Sequence, residues 1–128
     1  MKHFHRLIFL SLLVFATACA GSAARQHVLI PSMRTSWESI RVAVLREAAA
    51  QQHATGAASV AAADEALAAG DPVKIASVDW PVLDLLAEAD TARRVVAGAI
   101  GPGVAESLRG RLADFAESRA LYLTRTRP

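Results

Sequence analysis

Apolar side chains separated by three or four residues recur along this chain, and this spacing constrains its fold more than any other feature. Such spacing places the residues on one face of an α-helix. Between residues 31 and 52 they are Trp37, Ile40, Val44 and Ala48. Alanine, which has the highest helix propensity, dominates the composition, and the β-branched runs typical of strands are short. We therefore expect an all-α protein.

Proline and glycine residues divide the chain after residue 30 into about four helices. The expected helices cover residues 31–52, 57–69, 79–100 and 102–123. Gly70 is expected to end the second helix and Asp79 to cap the third. The intervening residues 72–78 are expected to form one helical turn or a loop, anchored by Val73 and Ile75. Because the connections are short, sequential helices should pack antiparallel in a small bundle.

The third helix carries the clearest apolar stripe. Its inward-facing residues are predicted to be Val82, Leu85, Leu86, Ala89, Val96 and Ala99. Its charged residues are expected on or near the opposite face, and they are Asp84, Glu88, Asp90, Arg93 and Arg94. The expected core residues of the second and fourth helices are Val60, Ala63, Leu67, Leu108, Leu112, Phe115 and Tyr122. These faces predict a single small apolar core.

The first 18 residues have the three parts of an export signal. A basic start with Lys2 and Arg6 precedes an apolar stretch over residues 7–15, and small residues follow. A helix from residue 7 to residue 18 would be about 18 Å long, which is too short to cross a hydrocarbon core about 30 Å thick. Residues 1–18 are therefore predicted to be a cleaved signal peptide.

Cys19, the only cysteine, ends the run A-T-A-C that follows the apolar stretch. This run resembles the lipobox of bacterial lipoproteins, with Ala16 where that family favours leucine. The resemblance implies cleavage before Cys19, diacylglycerol on its thiol, and residues 19–30 as a lipidated N-terminus and tether. Alanine rather than aspartate follows the cysteine, which by the same resemblance implies the outer membrane.

Two other fates of the leader remain open. The runs at residues 18–20 and 22–24 fit the A-x-A pattern of an ordinary signal-peptidase site or resemble it. Cleavage after either run would discard Cys19 and release the protein into the periplasm or the medium. An uncleaved N-terminal anchor is the remaining alternative.

Charge and motif content argue against several classes of function. Loss of Lys2 and Arg6 with the leader leaves 12 basic and 12 acidic side chains, so net charge provides no basis for nucleic-acid binding. One cysteine excludes an internal disulfide and a cysteine-ligated zinc site. No histidines have the spacing of a metal motif, and no serine lies in a G-x-S-x-G turn. We expect a non-enzymatic protein with no cofactor and no metal.

An enzyme would need a set of acids and a histidine to converge on one cleft. The candidates for such a set are Asp64, Glu65, Asp84, Glu88 and His53. Carboxylates at these spacings can act as a general acid and base, but they also occur on most charged helix surfaces. Solvated side chains and surface ion pairs are therefore the expected outcome.

Trp37, Trp80 and Met33 are the candidates for contact with a partner. Met33 and Trp37 share one helix face at i, i+4 spacing, and Trp80 lies beside Pro81 near a helix start. Tryptophan is enriched at binding hot spots, so an exposed Trp80 would anchor a partner. A core role for both tryptophans is nevertheless the expected outcome, because an alanine-rich bundle needs bulky residues to fill it.

The sequence thus predicts a small envelope lipoprotein whose helical domain over residues 31–128 binds a protein or another envelope component. Lipid on Cys19 would hold it at the membrane, on the periplasmic face of the outer membrane. One alternative is a periplasmic carrier that encloses a small apolar ligand between its helices. The other is a soluble secreted helical protein without an anchor.

Overall fold

The computed structural model describes residues 29–126, which form five helices and no strand. They are α1 (29–50), α2 (Ala54–Ala69), α3 (Pro72–Ser77), α4 (Trp80–Val96) and α5 (Pro102–Arg125). The prediction of an all-α fold is confirmed. The predicted leader, Cys19 and the tether up to residue 28 lie outside the described residues. Leu29 and Ile30, expected to belong to the tether, are already helical.

Capping residues set the ends of α2, α3 and α4. Gly70 ends α2 with φ at 62°, a left-handed conformation that glycine adopts without steric cost. Asp71 then caps α3, because its carboxylate accepts a hydrogen bond from the backbone N–H of Val73 at 2.9 Å. Asp79 occupies the N-cap position of α4, as predicted, but its side chain makes no capping hydrogen bond.

His53 moves the start of α2 to Ala54, three residues before the expected start. The sequence predicts a solvated imidazole at this position, but His53 is half-buried. Its Nδ1 accepts a hydrogen bond from the backbone N–H of Gly56 at 2.8 Å. The same N–H also donates to the backbone carbonyl of His53 at 3.1 Å, so the side chain and the backbone of His53 together cap the first turn of α2.

α1 and α4 run in the same direction, and α5 runs against them. Trp37 and Trp80 meet early in α1 and α4, with ring centroids 6.0 Å apart. Arg46 and Asp90 meet further along the same two helices at 2.9 Å. The guanidinium of Arg119, late in α5, lies 4.6 Å from the Trp80 ring centroid. Sequential helices α4 and α5 are therefore antiparallel, as predicted.

The direction of the helices gives the bundle two distinct ends. At the residue-29 end, Arg34 of α1 donates a hydrogen bond to the carbonyl of Leu67 at 2.7 Å. There the Tyr122 hydroxyl donates to the carbonyl of Gly70 at 3.2 Å. The other end, called here the distal end, contains the last turns of α1 and α4 and the first turn of α5. In the part of the chain described, no helix is both long and apolar enough to cross a membrane.

Three aromatic rings form the centre of the core. Trp37, Trp80 and Phe115 lie with their ring centroids 5.7 to 6.1 Å apart, within the range of favourable aromatic pairs. The Trp80 indole N–H donates to the carbonyl of Ile75 at 2.7 Å, so the buried ring leaves no polar atom unpaired. The predicted core residues Val60, Ala63, Leu67, Phe115 and Tyr122 are buried, and Leu108 and Leu112 are half-buried.

The buried face of α4 differs from the predicted stripe. Leu85 and Val96, expected inside, are 68% and 89% exposed, whereas Leu83 is 1% exposed. Asp90, expected outside, is completely buried because Arg46 of α1 reaches its carboxylate. Apolar spacing alone does not reveal an ion pair between helices. The spacing therefore predicted the wrong buried face for α4. A similar error affects Val73, which is exposed on α3.

Candidate functional site

The residues considered for contact with a partner do not form a docking surface. Met33, Trp37 and Trp80 are all buried in the core. The core role expected for both tryptophans is confirmed, and the alternative of an exposed, partner-anchoring Trp80 is not supported. The physical reason is that a bundle rich in alanine leaves space that only large side chains can fill.

The acids and the histidine considered for an enzyme make separate contacts. Asp64 accepts hydrogen bonds from Trp37 at 2.6 Å and from Arg41 at 3.0 and 2.8 Å. These donors, chiefly Arg41, hold the pKa of Asp64 below its usual value. Asp84 pairs with Arg119 at 2.8 Å. Glu65 pairs with Lys74, and Glu88 is exposed. His53 caps α2.

A reciprocal pair of salt bridges joins α1 to α4 near the distal end. Glu47 of α1 accepts two hydrogen bonds from Arg93 of α4, each 2.9 Å long. Arg46 of α1 donates to Asp90 of α4 at 2.9 Å. Gln51 adds a third hydrogen bond to Glu47 at 2.7 Å. Each helix therefore supplies one arginine and one buried acid to the interface.

The two buried acids are satisfied to different extents. Bonds from Arg93 and Gln51 hold the pKa of Glu47 below its usual value. Asp90 receives one bond, to Oδ2 from Arg46, and its Oδ1 has no hydrogen-bond partner among the described residues. Its side chain is only 1% exposed, and burial raises the pKa of Asp90. Within the described chain, Asp90 is thus less completely hydrogen-bonded than Glu47.

Asp90 lines a small cleft between α1, α4 and α5, called here the Asp90 cleft. Its volume is about 70 Å³ and it is partly open to solvent. Ile40, Leu108 and Leu112 provide much of its apolar lining. The basic residues that line it are Arg46, Arg94 and Arg111. Sequence reasoning missed this cleft because the apolar stripe placed Asp90 on the solvent side of α4.

A second feature lies at the distal end, where α4 turns into α5. Residues 95–104, called here the α4–α5 tip, read V-V-A-G-A-I-G-P-G-V and contain no charged or hydrogen-bonding side chain. Val96 is 89% exposed and Val104 is 53% exposed. The turn depends on Gly98, whose φ of 71° lies in the left-handed region. The sequence interpretation had placed Val96 and Ala99 of this segment on the inward-facing stripe of a helix running to residue 100, but both are exposed and the helix ends at Val96.

Comparisons with known proteins add no assignment to these two features. The chain matches no protein-family model, and comparisons with curated proteins and with solved structures found no similar protein. Within residues 29–126, no group of three or more histidine, cysteine or acidic side chains is placed to hold a metal ion.

Proposed function

We propose that this chain is a small lipoprotein of the bacterial envelope that binds a partner protein through the α4–α5 tip. The observation that carries the binding role is the exposure of apolar side chains there, above all Val96 at 89%. Exposed apolar patches on small proteins commonly mark interaction sites, because water contact with them is unfavourable. The lipobox-like run that ends at Cys19 supports the membrane tether.

The position of the tip favours a protein over the tethering membrane as its partner. A tether would join the bundle at the residue-29 end, whereas the tip lies at the distal end. Residues 29–50 of α1 span about 33 Å at the helical rise. The tip also has no aromatic side chain, the type that anchors proteins at a lipid interface. We therefore assign the tip to a partner protein with an apolar groove. This partner would bind at the end of the bundle that lies away from the membrane holding the lipid anchor.

The alternative function, a periplasmic carrier that encloses a small apolar ligand, has less support. The Asp90 cleft is small and holds a buried carboxylate beside three arginines. An apolar molecule in the cleft would cover the guanidinium groups of Arg94 and Arg111 without offering them a hydrogen bond, which is unfavourable. A protein partner at the tip requires no such burial.

The tether is tested by the intact mass of the protein purified from membranes of its native host. We expect a chain that begins at Cys19 and carries added acyl mass, and we expect a Cys19→Ala variant to leave the membrane fraction. An unmodified chain that begins after residue 20 or 24 and lies in the soluble fraction would overturn the anchor. The binding role would remain to be judged by the next experiment.

The binding role is tested with a photo-crosslinking amino acid at position 96, and at position 42 as a control. Val42 is also an exposed valine, but it lies on α1 away from the tip. We expect one envelope protein to be crosslinked from position 96 only. That protein, once identified and purified, should bind the wild type and a Val42→Asp variant but not Val96→Asp.

Two results of this experiment would contradict the proposal. One is equal binding of the purified partner to the Val96→Asp and Val42→Asp variants. The other is crosslinking from position 96 to lipid or to a second copy of this chain in place of another protein. Circular dichroism of both variants checks that each retains its helices.

A further inference from the structure

The Asp90 cleft and the α4–α5 tip are parts of one continuous surface. Arg94 lines the cleft and immediately precedes the tip, and its carbonyl accepts a hydrogen bond from the backbone N–H of Ala99 at 2.9 Å. On α5, Leu108 lines the cleft and lies one helical turn after Val104 of the tip, on the same face of the helix. A partner that covers Val104 therefore reaches the mouth of the cleft.

The positive charge of the cleft is not matched by acids of the described chain. Three arginines line it, and Asp90 is the only acid among its lining residues. Arg46 pairs with Asp90 at 2.9 Å, whereas the guanidinium groups of Arg94 and Arg111 form no hydrogen bond or salt bridge within residues 29–126. Two guanidinium groups are therefore available to an acid from outside this chain.

Asp90 itself does not contact what enters the cleft, because its side chain is only 1% exposed. The groups within reach are the guanidinium groups of Arg111, which is exposed, and Arg94, which is half-buried. Arginine binds carboxylates well because its planar group can donate two parallel hydrogen bonds. The occupant that suits the cleft is therefore a hydrogen-bond acceptor with a negative charge.

The size and lining of the cleft fit an acidic side chain. About 70 Å³ is available, whereas a cavity needs about 10–15 Å³ by a comparable measure to hold one water molecule. The cleft therefore holds a group of about five non-hydrogen atoms, which is the size of a glutamate side chain. Ile40, Leu108 and Leu112 offer an apolar surface to its methylene groups. Because the cleft is partly open, such a side chain can enter while its backbone stays outside.

We infer that the Asp90 cleft receives an acidic side chain of the protein that binds the tip. The carboxylate accepts hydrogen bonds from Arg94 and Arg111, and the methylene groups pack on the apolar lining. This inference rests on the proposed binding role of the tip and adds the chemistry of the partner. The partner would carry an aspartate or glutamate at the edge of the apolar groove that covers the tip.

Propionate, which corresponds to a glutamate side chain cut free from its backbone, tests the cleft without the partner. Propionamide is the matched control, since it has the same shape and no charge. In NMR titrations of the purified protein at constant ionic strength, we expect about 50 mM propionate to shift the Nε–Hε signals of Arg94 and Arg111, and propionamide to leave them unchanged.

Three outcomes of these titrations would overturn the inference. They are the absence of a shift with propionate, an equal shift with propionamide, and tighter binding of inorganic phosphate than of propionate. The last result would assign the cleft to a phosphate group, as in a lipid headgroup, in place of a carboxylate.

The partner identified by crosslinking from position 96 tests the contact in the complex. Arg111→Gln should weaken its binding by about tenfold and make the remaining affinity less sensitive to salt. Arg109→Gln is the matched control, because Arg109 is also exposed on α5 but does not line the cleft. This variant should bind like the wild type.

The same measurements separate failure of this inference from failure of the proposed function. Equal affinities of Arg111→Gln and Arg109→Gln, with binding lost in Val96→Asp, would overturn the inference and leave the role of the tip intact. Unchanged binding in Val96→Asp would instead contradict the tip as the docking surface.

Discussion

Arg93 donates two hydrogen bonds to the Glu47 carboxylate, one from Nε to Oε2 and one from Nη2 to Oε1, each 2.9 Å long. Glu47 is almost completely buried, and Arg93 is more than half exposed. The contact joins the last turns of α1 and α4, and its two residues are 46 positions apart in the sequence. It therefore helps to determine how the distal end of the bundle is assembled.

The bond between Arg93 and Glu47 predicts a loss of stability in acid. The pKa of Glu47 in the folded chain lies below its ordinary value of 4.5, mainly because of the bonds from Arg93. Its stabilising contribution is present above pH 4.5 and is lost as the pH falls through the lower folded-state pKa. Urea unfolding of the wild type and Arg93→Gln as a function of pH measures this effect. We expect a smaller acid-induced loss in the variant, and an unchanged loss would contradict the assignment.

The burial of Asp90 predicts a pH dependence of the unfolding free energy that is opposite in sign to that of Glu47. Burial raises its folded-state pKa above the ordinary value of 3.8. Its contribution to stability is therefore most favourable below pH 3.8 and falls as the pH rises through the folded-state pKa. The unfolding free energy of the wild type, minus that of Asp90→Asn, should decrease between about pH 3.5 and pH 7. A difference that is constant or rises with pH would show that the carboxylate is not held in a desolvated site.

Leu83 and Leu85 test which face of α4 is buried. Leu83→Ala removes a side chain that is 1% exposed, and such substitutions cost about 2–5 kcal/mol. Leu85→Ala removes one that is 68% exposed and should change the unfolding free energy by no more than about 0.5 kcal/mol. Denaturant unfolding at neutral pH measures both changes. The reverse order would support the stripe expected from sequence instead of the face in the structure.

Gly56 predicts a close contact between α2 and α4. A Cβ at this position would lie 2.6 Å from Leu86 Cδ1 and 3.2 Å from Ala48 Cβ. Because both neighbours are buried, we expect Gly56→Ala to destabilise the protein by about 1–3 kcal/mol. Gly110→Ala is the matched control, since nothing lies within 4 Å of its Cβ and α5 should gain up to about 1 kcal/mol from the higher helix propensity of alanine. Similar thermal shifts in the two variants would contradict the close approach.

Local signals predicted most of the helix ends. Gly70, Asp71 and Pro72 act within a few residues of one another, so their effects follow from backbone geometry alone. The start of α2 was missed because histidine is an uncommon cap, although the hydrogen bond from Gly56 to His53 spans only three residues. Such ends depend on nearby atoms and are in principle readable from the sequence.

The α4–α5 tip was visible in the sequence as ten residues without a charged or hydrogen-bonding side chain, but its exposure was not. Composition does not distinguish an apolar turn in the core from one at the end of a bundle. The exposure of Val96 follows from the lengths and directions of α1 and α4, which end together at the distal end. The Asp90 cleft was missed for a related reason, because its walls come from three helices.

The sequence by itself determined that the described chain is helical, where most of its helices end, and that large aromatic residues fill an alanine-rich core. These properties depend on propensity, capping and short-range spacing, which act within a few residues. Only the tertiary structure decided which face of α4 is buried and which acids are held inside. Asp90 and Glu47 are buried because arginines from a helix more than 40 residues away reach them. Electrostatic contacts of this range reverse the inside and outside positions that hydrophobic periodicity assigns.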